Sequence, residues 1–171
     1  MSVFFLADTH FGDETILRYE NRPFASVEEM DRELVRRWNE TVKDGDTVFH
    51  LGDFSSLGEE EDRELLSRLR GNKVLVLGNH DRHCTPEAWR SLGFQEAVPW
   101  PLVWEGFYIL SHEPLYVNRN MPYANVFGHV HGNPAYRDAS PHSVCVSVER
   151  IGYTPLSFEE LRQRLRAGET E

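Results

Sequence analysis

Nine residues of the types used in metal-assisted and acid–base chemistry fall into five short clusters. The clusters are Asp8-Thr9-His10, Gly52-Asp53, Gly78-Asn79-His80-Asp81, Ser111-His112 and Gly128-His129-Val130-His131. Asp8 and Asp53 offer carboxylates, Asn79 an amide, and His10, His112, His129 and His131 imidazoles. This mixed oxygen and nitrogen set suits Mn²⁺, Fe, Co, Ni or Zn²⁺ rather than Ca²⁺, and it is not a thiolate site. Seven donors exceed what one such ion takes and fit two ions that share a carboxylate. Two ions held side by side can clamp the attacking and leaving oxygens of an in-line displacement at phosphorus. With two aspartates and a bridging hydroxide, such a centre keeps a net positive charge and would accept a phosphate.

The elements that must position these clusters are legible around them. Each cluster directly follows an apolar run: Val3–Ala7, Thr47–Leu51, Val74–Leu77, Phe107–Leu110 and Asn125–Phe127. Runs of strand length alternating with helical patterns predict an α/β or α+β layered domain. The clusters would then sit at the carboxyl ends of strands, where open α/β sheets place ligands. Pro101–Trp104 and Phe107–Leu110 predict a hairpin about Glu105-Gly106, and Ser143–Val148 a late strand. Ser26 with Glu29 forms a capping box ahead of the helical stripe Val27, Met30, Leu34, Val35, Trp38 and Val42. Acidic Glu59–Glu61 and basic Arg68–Arg70 frame a second helix that stops at Gly71. Thr85-Pro86 opens and Gly93 closes a short helix, and Ser157, Glu160, Leu156 and Leu161 cap and staple the last one. Asp13 is placed to cap a short helix over Glu14–Tyr19.

In this order the clusters resemble those of the calcineurin-like metallophosphoesterase superfamily. Asn21-Arg22-Pro23-Phe24 and Tyr153-Thr154-Pro155 are similar to stretches of a group of small bacterial and phage phosphoesterases. The resemblance implies a four-layer fold: two mixed β-sheets packed face to face, with helices outside. It implies that Asp8, His10 and His131 bind one ion and Asn79, His112 and His129 a second, with Asp53 shared. It implies that His80 meets the leaving or a phosphoryl oxygen and that Asp81 orients it. The implied cofactors are two divalent ions, Mn²⁺ first, with Fe, Ni, Co or Zn as alternatives. The implied activity is phosphoester hydrolysis by a metal-bridging hydroxide, with a small phosphodiester or nucleotide favoured. A phosphomonoesterase, a nuclease and a non-catalytic scaffold are the alternatives; a full ligand set with His80 intact speaks against the scaffold.

The chain departs from the family pattern in places. The first motif continues as Phe11-Gly12-Asp13, where the small bacterial group often has Gly-His. Phe54-Ser55-Ser56-Leu57-Gly58 follows Gly52-Asp53, without the Arg that grips a phosphomonoester in protein Ser/Thr phosphatases, and Asp81 stands where those carry Glu. Arg22, Arg82 and Arg119 are candidate phosphate contacts, because a guanidinium fork matches phosphate oxygens. His50, inside an apolar run, reads as a core or supporting histidine, and His83 as a surface histidine or a substrate contact; His142 is assigned no role. Trp100, Trp104 and Phe107 read as hairpin packing or a self-association patch.

Composition narrows the classes further. A chain of 171 residues suits one domain over 1–171 and buries enough core without a disulfide framework. Against 18 basic residues stand 28 acidic ones, a net charge of −10 that repels polyanions and argues against non-specific nucleic-acid binding. The expected partner is a small phosphoester. No apolar run is long enough to span a membrane, and Val3–Ala7 lacks the basic flank of a leader. Two cysteines, Cys84 and Cys145, fit a reduced cytoplasmic setting.

Overall fold

The computed structural model describes residues 1–118, 120–136 and 142–168. Two mixed sheets form its centre. In the first, β1 (Val3–Leu6), β2 (Thr47–His50), β3 (Asn72–Val76) and β4 (Glu96–Val98) run parallel, and β9 (Leu156–Ser157) closes the other side antiparallel to β1, giving the order β4-β3-β2-β1-β9. In the second, β5 (Leu102–Trp104) pairs antiparallel with β6 (Tyr108–Leu110), and β6, β7 (Ala124–Phe127) and β8 (Ser143–Cys145) are parallel. The helices α1 (Glu14–Tyr19), α2 (Val27–Thr41), α3 (Glu59–Arg68), α4 (Pro86–Leu92) and α5 (Phe158–Gly168) flank these sheets. This is the sandwich of two mixed sheets with flanking helices that the family resemblance implies.

Aromatic packing ties the sheets together. The Phe5 and Phe49 rings of β1 and β2 stack at 5.5 Å, and Trp104 of β5 meets both edges at 5.5 Å. Phe158, at the start of α5, closes on Trp104 at 4.8 Å. Trp104 is therefore partly buried against the core, whereas Trp100 is 73% exposed. Among the described helices none is long and apolar enough to cross a membrane. Both cysteines are free.

The helix boundaries follow local chemistry. Asp13 accepts the Thr15 and Ile16 amides and caps α1. Ser26 Oγ accepts the Glu29 amide at the start of α2, which buries Met30, Leu34, Val35 and Trp38. Thr85 caps α4, and Gly93 ends it at φ 140. Strands β4 and β9 lack a sequence signal of their own, being three and two residues long. The anticipated Ser143–Val148 strand pairs with β7 only as far as Cys145. Beyond it the chain crosses to the first sheet in a single parallel bridge, Ala7 to Ser147. Ala7 N–H donates to Val146 O at 2.9 Å, and Val148 N–H donates to Ala7 O at 3.1 Å. That seam lies one residue before Asp8, so the two sheets meet where the polar clusters begin.

Candidate metal centre

The five loops after β1, β2, β3, β6 and β7 converge on one rim. Asp8, His10 and His131 place one donor atom each within 4.8 Å of one another, and so do Asp53, His112 and His129. Asp53 Oδ2 lies between the two groups, 3.5 Å from His10 Nε2 and 3.3 Å from His112 Nε2. Asn79 Oδ1 completes the second group, 3.0 Å from His112 Nε2 and 3.1 Å from His129 Nδ1. All seven sequence-predicted ligands are thus brought together at one rim.

Tight backbone turns make this possible. Asp8, His10, Asp53, His129 and His131 all have positive φ, between 48° and 68°. Non-glycine residues seldom adopt this conformation, which costs about 1–2 kcal/mol each, and such strain collects at functional sites. The turns are zipped to one another: Asp8 N–H donates to Gly52 O at 2.9 Å, His10 N–H to Asp53 O at 3.1 Å, and Gly128 N–H to His112 O at 2.9 Å. The loops pack so closely that a Cβ on Gly78 would collide with Asp53 Oδ1 and His112 Cε1.

Hydrogen bonds fix which nitrogen of each imidazole faces inward. His112 Nδ1–H donates to Leu51 O at 2.8 Å, so Nε2 is the nitrogen turned on Asp53 and Asn79. His131 Nδ1–H donates to Glu149 Oε1 at 3.1 Å, leaving Nε2 facing Asp8. His10 Nε2 is buried with no hydrogen-bond partner. Ring nitrogens and carboxylates gathered in a buried space call for a cation, and the donor chemistry fits divalent transition metals.

The electrostatics carry the same strain. Burial pushes the Asp8 carboxyl up to about 6, against the pull of His131, His112 and the Ser147 hydroxyl. Burial acts on Asp53 too, but the hydrogen bond and charge of His112, the His80 amide and His10 hold its carboxyl far below the usual range. Burial drives His10 down to about 4, despite Asp53. His112 resists the same burial and stands at about 9, because Asp53 and Asp8 favour its cation.

His80 opens a 3₁₀ turn (His80–His83) and lines a cleft of about 280 Å³ with His10, Asp53, Asn79, His129 and His131. Its backbone N–H donates to Asp53 Oδ1 at 2.9 Å, and its ring meets that of His10 edge-on at 5.1 Å. Asp81 does not orient the His80 ring, as the motif had implied. Its carboxylate is buried and accepts the backbone N–H groups of Asp53 at 2.7 Å, Gly78 at 2.8 Å and Phe54 at 2.9 Å. It therefore staples the second loop to the third. Trp89 of α4 anchors the same turn by donating to Asp81 O at 3.0 Å.

Of the three arginines proposed to meet phosphate, Arg22 is corrected. It is buried under the site, where Nη1 donates to Thr9 O at 2.8 Å, Nη2 to Asp8 O at 2.6 Å, and Nε to Glu149 Oε1 at 2.9 Å. Its guanidinium is fully engaged in holding the first loop. Arg82 is exposed, 3.5 Å from Glu113. Arg119 lies outside the described residues. His50 is a supporting histidine: Thr9 Oγ1 donates to Phe54 O at 2.7 Å and pairs with His50 Nε2 at 2.9 Å, and burial drives the ring down to about 3, leaving it neutral. His83 Nδ1–H donates to His80 O at 2.8 Å and braces the turn.

Two residues at the site escaped the sequence reading. Ser147 Oγ donates to Asp8 Oδ2 at 2.6 Å from the sheet seam. Glu149 takes His131 on one side and Arg22 on the other, and these partners hold its carboxyl below its ordinary value despite burial. A carboxylate behind a ligand imidazole fixes its tautomer and raises its basicity.

The chain is similar to known proteins along most of its length. Residues 1–164 match the family model of the calcineurin-like phosphoesterases. An uncharacterized protein of Methanocaldococcus jannaschii, MJ1445, is 34% identical over 174 residues, covering 97% of this chain and 92% of that protein. The gene 66 protein of Mycobacterium phage L5 is 36% identical over 83 residues, covering 47% of this chain and 40% of its own length. A solved structure, the protein of unknown function AQ665 from Aquifex aeolicus, shares the fold at a TM-score of 0.74 and 22% identity, over 95% of this chain and 98% of that one.

Two substitutions test the supporting residues. Glu149→Gln keeps the shape but weakens the hold on His131, and metal affinity measured by calorimetry should fall about 10–100-fold. Undiminished affinity would remove Glu149 from the site. Asp81→Asn turns a donor toward backbone donors and should cost about 1–3 kcal/mol in urea unfolding. Its activity loss should be the same for esters with good and poor leaving groups; a loss confined to poor ones would restore the His80-orienting role.

Proposed function

Because this chain belongs to the calcineurin-like phosphoesterase family, we propose that it is a dinuclear-metal phosphodiesterase acting on small diesters. Asp8, His10 and His131 would hold one ion, Asn79, His112 and His129 the other, with Asp53 shared between them. When bound, the ions would supply positive charge to the phosphoryl oxygens and make water nucleophilic near neutral pH. Mn²⁺ is the first candidate on donor chemistry.

The chain's own residues do the rest. Asp53 Oδ1 holds the His80 amide at 2.9 Å, fixing the turn from which the imidazole reaches the cleft. Among the described residues lining the cleft, His80 is the one imidazole outside the ligand set, and we assign it the proton delivered to the leaving oxygen. Arg22 and Ser147 keep Asp8 in its strained turn, while Asp81 keeps Asp53 in register with Gly78.

The preference for diesters rests on one observation. Among the described residues, those lining the cleft are His10, Asp13, Thr15, Ile16, Tyr19, Asp53, Asn79, His80, His129 and His131, without a lysine or arginine. A monoester brings an extra negative charge, and the cleft adds the Asp13 carboxylate without a fixed cation to offset it. A diester, with a single charge, avoids that mismatch.

A chelator should abolish activity and Mn²⁺ should restore it, with bis-p-nitrophenyl phosphate cleaved at higher kcat/KM than p-nitrophenyl phosphate. A ratio well below one at matched pH and metal would make the enzyme a monoesterase. His80→Ala should lose about 10²–10⁴-fold on diesters with alkoxide leaving groups and much less on nitrophenyl esters. Equal losses across leaving groups of graded pKa would show that His80 contacts the phosphoryl oxygens and donates no proton.

A further inference from the structure

The cleft has a second wall that the metal chemistry does not use. Helix α1 lines it with Thr15, Ile16 and Tyr19, facing the ligand loops. These three share one helix face through their three- and four-residue spacing, while Leu17 points inward and is buried. The helix is fixed to the metal rim at its start. Asp13 caps it, and the Asp13 carboxylate lies 3.6 Å from His10 Nδ1. At a rise of about 1.5 Å per residue, the six residues of α1 carry Tyr19 about 9 Å along the helix axis from that anchor.

Tyr19 is 81% exposed, an aromatic side chain left in water at the cleft mouth. Beyond it the surface does not close. Thr15 and Tyr19 also border a shallow, open depression with Glu14 and Arg18, so the cleft runs out onto the exposed face of this helix. The charge along the path is acidic or neutralised: Asp13 and Glu14 are carboxylates, and Arg18 Nη2 donates to Glu14 Oε1 at 2.5 Å. A second phosphate would meet carboxylates there. A neutral, flat group would meet an open aromatic face and a polar threonine edge. Ring-on-ring stacking is the interaction such a surface offers.

We propose that the α1 face is the subsite for the substituent retained on phosphorus, and that this substituent is a nucleoside whose base stacks on Tyr19. The natural substrate is then a nucleoside phosphodiester, with its phosphate at the ligand loops and its base about one short helix away. This inference rests on the phosphodiesterase reading above and specifies its substrate class.

The test compares two diesters with the same leaving group and charge: thymidine 5′-(p-nitrophenyl) phosphate and methyl p-nitrophenyl phosphate, with Mn²⁺-loaded protein. Wild type should favour the thymidine ester in kcat/KM. Tyr19→Ala should lower the thymidine-to-methyl ratio about tenfold, mainly through KM, as expected for a lost base–aromatic stack. Tyr19→Phe, which keeps the ring, should keep the ratio. A ratio unchanged in Tyr19→Ala overturns the subsite. If wild type cleaves neither ester, the phosphodiesterase reading fails separately, and calorimetric binding of thymidine 5′-phosphate against methyl phosphate decides the subsite. Tighter thymidine 5′-phosphate binding that Tyr19→Ala abolishes supports it; equal binding of the two phosphates overturns it.

Discussion

Two carboxylates, Asp8 and Asp53, are buried at one rim with imidazole nitrogens pressed against them. Burying a charge is expensive unless an opposite charge comes with it. Without a cation, the site raises Asp8 toward its protonated form and keeps a proton on His112. The rest of the rim serves to hold this electron-rich cluster in place. The left-handed turns at five of its ligands, the amides that converge on Asp81 and the buried Arg22 under Asp8 all oppose its tendency to spread. A folded chain sustains such strain where function requires it.

The architecture explains why the ligands come from far apart in the chain. Parallel strands bring loop after loop to the same sheet edge. Here two sheets do so at once, and the Ala7–Ser147 bridge joins them beside Asp8. Residues from the first sheet (Asp8, His10, Asp53, Asn79) can then face residues from the second (His112, His129, His131). The aromatic stack of Phe5, Phe49, Trp104 and Phe158 packs the two sheets against each other.

Much of this was legible in the chain because a strand signal and a ligand signal were adjacent each time. An apolar run followed at once by Asp, His or Asn says both where the chain is extended and what stands at its end. The supporting contacts were not legible, because they join residues with no local signal. Arg22 and Glu149 are 127 positions apart, and either alone reads as a surface charge. The residue type of Arg22 fits phosphate; its burial, which sequence does not display, assigns it to the loop backbone instead. Asp81 shows the same limit. Its place beside His80 suggested a pair, but the 3₁₀ turn directs the carboxylate back onto three amides. Strands β4 and β9 were missed because three and two residues are too few for a period to appear.

The central claim is that Asp53 is shared by two ions. A crystal structure of the Mn²⁺-loaded protein, with anomalous data collected at the manganese edge, tests it directly. The account predicts two anomalous peaks flanking the Asp53 carboxylate, one ringed by Asp8, His10 and His131 and the other by Asn79, His112 and His129. A single peak, or two peaks without Asp53 between them, would contradict it.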